Sequence, residues 1–360
     1  MNIRYTKALL CGAALLLVGQ GCVSLSGDSS LETSGPAGVF VSTDGAESWR
    51  SISLVPTIEG VANAHAASVY TLHQDMLDSE ALYWGSRASG MYYSYDAGRS
   101  WQRPEAPMSA GFIYDIEVDT QDTCTIYASA GIKAYRSTDC NKHWEEMYQE
   151  GGNDRVVAIE TDPFSRSRLY MLKRGGDVLR SEDNGLSWKT IHRFSRATLS
   201  KIHVDPHTPD TLYISTFKRG PFRSDDGGLT WVSLVEGMEE FKGAKEFRSF
   251  HVYEGQADTL YWVSGYGILR SEDKGSTWQE VPIIPSPGSV KIYAFAVNPQ
   301  NENEMYYTAT IDTRSTMYKT VDGGQNWITK RLPSGQLPTQ LLVHRENPQW
   351  VYMGFTVPPN

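Results

Sequence analysis

Cysteine is scarce in this chain, with four in 360 residues. No C-x-x-C pair or H-E-x-x-H occurs, so neither zinc-site spacing nor a metalloprotease helix is present, and no metal or cofactor is expected. The eight histidines are scattered. Glycine pairs such as Gly175-Gly176 and Gly227-Gly228 fall in hairpins rather than ahead of helices, which excludes a phosphate loop. Charged residues make up only 21% and net to -9. With no dense lysine tract, nucleic acid is excluded as an expected partner. The conspicuous apolar run, Ala8 to Val18, has eleven residues, too short for a comfortable membrane span. A helical period is missing throughout.

What the chain has is repetition. An eight-residue box, S-x-D-x-G-x-[S/T]-W, occurs in full at Ser94-Asp96-Gly98-Trp101, Ser181-Asp183-Gly185-Trp188, Ser224-Asp226-Gly228-Trp231 and Ser271-Asp273-Gly275-Trp278. Three further copies are degenerate: Ser42 to Trp49 with Ala46 for glycine, Ser137 to Trp144 with Asn141 and His143, and Thr320 to Trp327 with Asn326. The closing tryptophans recur at intervals of 43 to 52 residues, the period of a four-stranded propeller blade. Between boxes the sequence reads strand, turn, strand: Lys201 to Val204, an Asp205-Pro206 turn, Thr211 to Ser215, then Pro221 to Ser224 leading into the next box. Residues 38 to 53 supply only the last two strands of a blade and residues 340 to 354 only the first two. The expected fold is therefore all-β, a seven-bladed propeller of four-stranded antiparallel blades closed by a 2+2 clasp of terminal strands.

The box reads as a structural device. Its hydroxyl and carboxylate bond a tight turn, its glycine takes a positive φ, and its tryptophan fills the gap between blades with the indole N–H still paired. A catalytic carboxylate would be needed once, not seven times.

The first 22 residues read as an export signal. Arg4 and Lys7 precede the apolar run, and Val18-Gly19-Gln20-Gly21-Cys22 resembles a bacterial lipoprotein signal in which Cys22 would be acylated, although Gly19 stands where such signals usually carry leucine. Residues 23 to 37 have the small, polar composition of a tether, and 38 to 357 form the propeller. The expected location is the extracytoplasmic side of a membrane, periplasmic or at the cell surface. In that oxidising setting Cys124 and Cys140 are left as a pair, and a hairpin turning about Ile132 sets them opposite each other for a disulfide.

The repeat resembles the Asp-box, or bacterial neuraminidase repeat, of sialidases, sortilin-like receptors, xyloglucan-degrading enzymes and the seven-bladed photosystem II assembly and stability factors. The resemblance implies the fold and leaves activity open. A sialidase would need an arginine cluster, a tyrosine nucleophile with a partner glutamate, and an Arg-Ile-Pro signature near its start, which is missing. The xyloglucan-degrading relatives use two propellers, whereas this chain has one.

Sorting loops by face gives a second expectation. Turns between second and third strands carry Arg87, Lys133, Lys173, Arg174, Lys218, Arg219 and Arg314, with Tyr266 in the sixth blade. Turns between first and second strands, on the other face, carry Asp119, Asp122, Asp162, Asp205, Asp210, Glu254, Asp258, Glu302, Glu304 and Glu346. The expected function is a non-catalytic binding or assembly factor, with the cationic face against an acidic membrane-associated protein or an anionic lipid surface. The alternatives are a sialidase-like or other glycoside hydrolase, or a module binding glycan at the cell surface.

Overall fold

In the computed structural model residues 34–358 are described. The expected signal (1–22), Cys22 and most of the tether lie outside them. Strands form six four-stranded antiparallel sheets, one three-stranded sheet and a separate hairpin. Numbered by their boxes, the seven sheets are the blades of a propeller. The only helix among the described residues is a three-residue 3₁₀ turn, Glu236–Met238.

The first blade is the clasp. Its strands run in the order Arg50–Ser51, Gly38–Ser42, Val351–Thr356, Leu337–Val343. Val41 faces Tyr352 and Phe40 faces Met353 across the seam. Phe40 and Phe355 meet edge to face at 5.4 Å. The N-terminal end adds to this closure: Gly335 N donates to the Ser34 carbonyl, and Ser334 Oγ donates to that of Pro36. Residues 34–37 are thus bound to the clasp blade rather than hanging free.

The second blade departs from the four-stranded pattern. Its ladder comprises Thr71–Gln74, Leu82–Gly85 and Met91–Ser94, and the fourth position is held by a single bridge between Tyr93 and Gln102. Pro104 and Pro107 follow at once, and neither can donate to a ladder. The link entering this blade carries the extra hairpin, Leu54–Thr57 with Gly60–Asn63.

Each box is a closed hydrogen-bonded turn. In the second blade Ser94 Oγ donates to Asp96 Oδ1 (2.7 Å) and accepts from Gly98 N (2.9 Å), while Ser100 donates its N–H and Oγ–H to the two Asp96 oxygens (2.9 and 2.7 Å). The degenerate boxes keep the geometry with other atoms. His143 Nδ1 stands at Asp139 Oδ2 (2.5 Å), and Asn326 Nδ2 donates to Asp322 Oδ2 (2.8 Å). The fifth box position has φ near +80° in Gly98 and +84° in Gly185, and a Cβ on Gly98 would stand 2.6 Å from Ile52 Cδ1 of the preceding blade. The positive φ favours glycine, although Ala46 (+72°) and Asn141 (+68°) adopt it in two of the degenerate boxes. Of the indoles, Trp188 and Trp231 donate to Gly185 O and Gly228 O (3.1 and 2.9 Å), but Trp49, Trp144 and Trp278 find no protein acceptor. Pairing of the indole N–H is not general.

Cys124 and Cys140 are joined by a disulfide. The hairpin register differs from a turn about Ile132: Lys133 faces Ala130 and Ser137 faces Ile126, so the turn is centred between Gly131 and Ile132. The ladder ends at Ser137, and the positive φ of Cys140 (+59°) within its box brings the sulfur atoms together beyond it.

Candidate functional site

Each second strand holds a buried tyrosine: Tyr352, Tyr83, Tyr127, Tyr170, Tyr213, Tyr261 and Tyr306 in blades one to seven. Opposite them on the innermost strands stand Leu342, His73, Glu117, Glu160, His203, His251 and Ala296. Five successive blades therefore present an ionisable side chain at one level of the hub. Two residues earlier on the same strands lies a second level, containing Thr71, Asp115, Ala158, Lys201, Ser249, Ala294 and Gln340.

The second level is crossed by one long side chain. Lys201 of the fifth blade reaches Asp115 of the third, passing the fourth, where the side chain is only Ala158. Asp115 Oδ2 also accepts from Ile159 N (3.3 Å). Burial raises the Asp115 pKa, and the Lys201 ammonium and backbone N–H groups pull it back. For Lys201, burial is outweighed by Asp115, Tyr70 and Glu160, which hold the ammonium above its ordinary value. Asp115 is thus the carboxyl of the hub that is paired directly with the Lys201 ammonium.

Glu117 differs. Burial pushes it up to about 8, with Asp115 adding repulsion, while Thr161 Oγ1 donates to it at 2.8 Å and opposes the rise. Glu160 is also raised, by burial and then by Glu117 and Asp115. Both side chains retain some accessibility, 13% and 20%, on strands that line the axial channel. Glu117, raised by burial, thus stands two residues along the same strand from Asp115, which is paired with the Lys201 ammonium, and two carboxyls in unlike surroundings are what a general acid and its partner carboxylate require.

Three aromatic rings pack together where the inner strands of the second and third blades begin. Phe112 and Tyr114 stack at 4.0 Å, and Tyr70 meets Phe112 edge-on at 4.6 Å. Arg87 lies over Tyr70 (5.6 Å) and Arg155 over Tyr114 (5.9 Å). Among the described residues no set of three or more His, Cys, Asp or Glu is placed to hold a metal ion.

Sequence comparison bears directly on this arrangement. The chain is 23% identical over 280 residues to a xyloglucanase from a Paenibacillus species, covering 66% of this chain and 23% of that protein. It is 24% identical over 294 residues to xyloglucanase Xgh74A of Acetivibrio thermocellus, covering 72% and 30%. Its sequence relatives are glycoside hydrolases. They overturn the expectations of a non-catalytic assembly factor and of a chain without enzymatic activity. The chain spans only 23–30% of the length of these curated relatives. Residues 132–259 match the family profile Sortilin-Vps10, described as sortilin, neurotensin receptor 3. Among solved structures, the GH74 enzyme of Niastella koreensis aligns with a TM-score of 0.63 at 17% identity over 80% of this chain and 51% of its own. YCF48 from Cyanidioschyzon merolae aligns with 0.61 at 12% identity, over 80% and 96%. At these identities the structural likenesses establish the propeller fold.

The cations expected to form a binding face stand on the same face as the mouth but do not converge. Lys133 is held by Glu146 (2.6 Å), and Lys173 by Glu150 (2.7 Å) and Asp177 (2.8 Å). Arg174 lies over Phe217, and Arg219 over Phe222 while donating to Ser195 O (3.1 Å). Lys218 and Arg314 are exposed in separate blades, and Tyr266 bonds Glu280. Acids on the opposite face are neutralised in turn: Arg168 binds Asp162 and Asp210 (3.3 and 2.7 Å), Arg270 binds Glu302 (2.7 Å), Lys319 binds Glu304 (2.9 Å) and Arg345 binds Glu254.

Asp115, Glu117, Glu160 and Lys201 were not singled out from the sequence as site residues. The signal was available in the Leu-Tyr pairs of the second strands. Aligning Leu82-Tyr83, Leu169-Tyr170, Leu212-Tyr213 and Leu260-Tyr261 fixes which inner-strand residues share a level of the hub.

Proposed function

We propose that this propeller is a glycoside hydrolase acting on a branched β-glucan of the xyloglucan kind, with its site at the aromatic mouth of the axial channel. The observation that carries the reading is the carboxyl pair on one strand, in a chain whose sequence relatives are xyloglucanases. Asp115 and Glu117 are two residues apart on the same side of the strand, so their Cα atoms stand about 6.6 Å apart. Two carboxyls on one side of one strand are near enough to work on one glycosidic bond. Sugar rings rest on Phe112 and Tyr70, the two rings of the group that are partly exposed. Glu117 gives its proton to the leaving glycosidic oxygen as that bond breaks, and Asp115, paired with Lys201, takes a proton from the water whose oxygen bonds to the anomeric carbon. The export signal and acylated Cys22 belong to this proposal as an address that would place the enzyme where polysaccharide is met.

Release of reducing ends tests the reading. The purified full chain is expected to cleave xyloglucan, to act more slowly on an unbranched β-glucan and to leave sialosides intact. No release from any glucan would reject it.

A further inference from the structure

The face on which the inner strands begin carries cations that the proposed hydrolysis does not use. From the second blade to the fifth, rings and guanidinium groups follow one another there. Arg87 lies over Tyr70 (5.6 Å to the ring centroid), Tyr70 meets Phe112, and Phe112 stacks on Tyr114. Arg155 lies over Tyr114 (5.9 Å), Arg174 N donates to the Arg155 carbonyl (2.8 Å), and the Arg174 guanidinium lies over Phe217 (5.1 Å). The chain places all three arginines on one face: Arg87 and Arg174 in turns between second and third strands, Arg155 in the link into the fourth blade. They form an arc.

Pairing separates these arginines from the lysines of the same turns. Lys133 and Lys173 are held by carboxylates at 2.6–2.8 Å. Arg87, Arg155 and Arg174 are exposed, and their guanidinium groups form no hydrogen bond or ion pair among the described residues. Asp154, the carboxylate next to Arg155 in the chain, is turned to the Gly175 N–H (2.9 and 3.1 Å). A ring beneath each guanidinium steadies its plane and leaves its N–H groups free, which lowers the ordering cost of meeting an anion.

We propose that Arg87, Arg155 and Arg174 are a subsite for carboxylate groups on the glycan, so that the preferred substrate carries uronic acid residues in its chain or branches. This subsite rests on the glycan reading above and adds a charge requirement to it. A planar carboxylate matches the two parallel N–H bonds that a guanidinium offers. The sugar beside it finds Tyr70 and Phe112, the half-buried rings of the same arc. A net charge of -9 repels an anion at long range, so recognition depends on these close contacts rather than on the field of the whole molecule. A polyanion without sugar rings meets the guanidinium groups but leaves the rings uncovered.

The test is calorimetric. The full chain, carrying Glu117→Gln to suppress cleavage, is titrated with a glucuronic-acid-bearing β-glucan oligosaccharide and with the same oligosaccharide after reduction of its carboxyl to the alcohol. The acidic form is expected to bind about tenfold or more tightly at low ionic strength, the worth of one charge-assisted contact, and the advantage should shrink as salt rises. Adding Arg155→Gln and Arg174→Gln should make the two forms bind alike, with an unchanged melting temperature because both positions are exposed. Equal affinity for the two forms before those changes overturns the acidic subsite and leaves the glycan reading standing. An acid preference that survives them, or polyglutamate competing as well as the acidic oligosaccharide, also overturns the subsite. Binding of neither form overturns the subsite and the glycan reading together.

Discussion

Deleting residues 337–358 is expected to leave a chain that neither unfolds cooperatively nor remains monomeric. These residues supply the two inner strands of the first blade, and Val351, Tyr352, Met353 and Phe355 are completely buried there. At about 1.5–3 kcal/mol for each such side chain, their burial is worth about 6–12 kcal/mol, as large as the net stability of a typical domain, about 5–15 kcal/mol. The deletion also bares the edge of Gly38–Ser42, whose side chains are all buried in the intact ring, and an unpaired apolar edge recruits other chains. Size-exclusion chromatography and urea unfolding read both effects. A truncated monomer with an unchanged unfolding transition would contradict the closure.

Glu117→Gln should lower turnover of xyloglucan by about 10²–10⁴-fold, the usual worth of a positioned general acid. Asp115→Asn should do at least as much, since it removes the carboxylate and strands the Lys201 ammonium. Wild-type activity should fall as pH rises through about 8, because Glu117 must hold its proton to act. Gln in place of Glu117 can still accept from Thr161, so the fold should persist in that variant. Glu145→Gln, on an exposed outer strand paired only with Arg136, is the matched control and should leave turnover unchanged. Equal activity in all three would remove these carboxyls from the chemistry.

Local chemistry made the scaffold legible. A box that needs Ser, Asp, Gly and Trp at fixed offsets repeats in sequence because its hydrogen bonds all lie within eight residues, so its spacing counts blades directly. The clasp was legible for a related reason: the two chain ends carry complementary halves of one repeat. The missing ladder of the second blade is explained by Pro104 and Pro107, which were present in the sequence but outweighed by its period. The hub was not read. Asp115 and Lys201 lie 86 positions apart and meet only because ring closure brings the third and fifth blades round one axis and Ala158 leaves the space between them open. The local partners of the cationic turns were not legible either. Arg87, Lys173 and Arg219 shared a face as expected, but each met a ring or carboxylate within reach, and neighbour pairing of this kind is invisible to a count of charged turns.

The central claim is that glycan binds at the mouth beside Tyr70 and Phe112, above Asp115 and Glu117. A crystal structure of the Glu117→Gln variant with a xyloglucan oligosaccharide tests it most directly. The account predicts a sugar ring lying flat on the Phe112 ring, with a glycosidic oxygen within hydrogen-bond distance of the residue 117 side chain. An oligosaccharide bound on the opposite face or along the blade rims, with the mouth unoccupied, would contradict it.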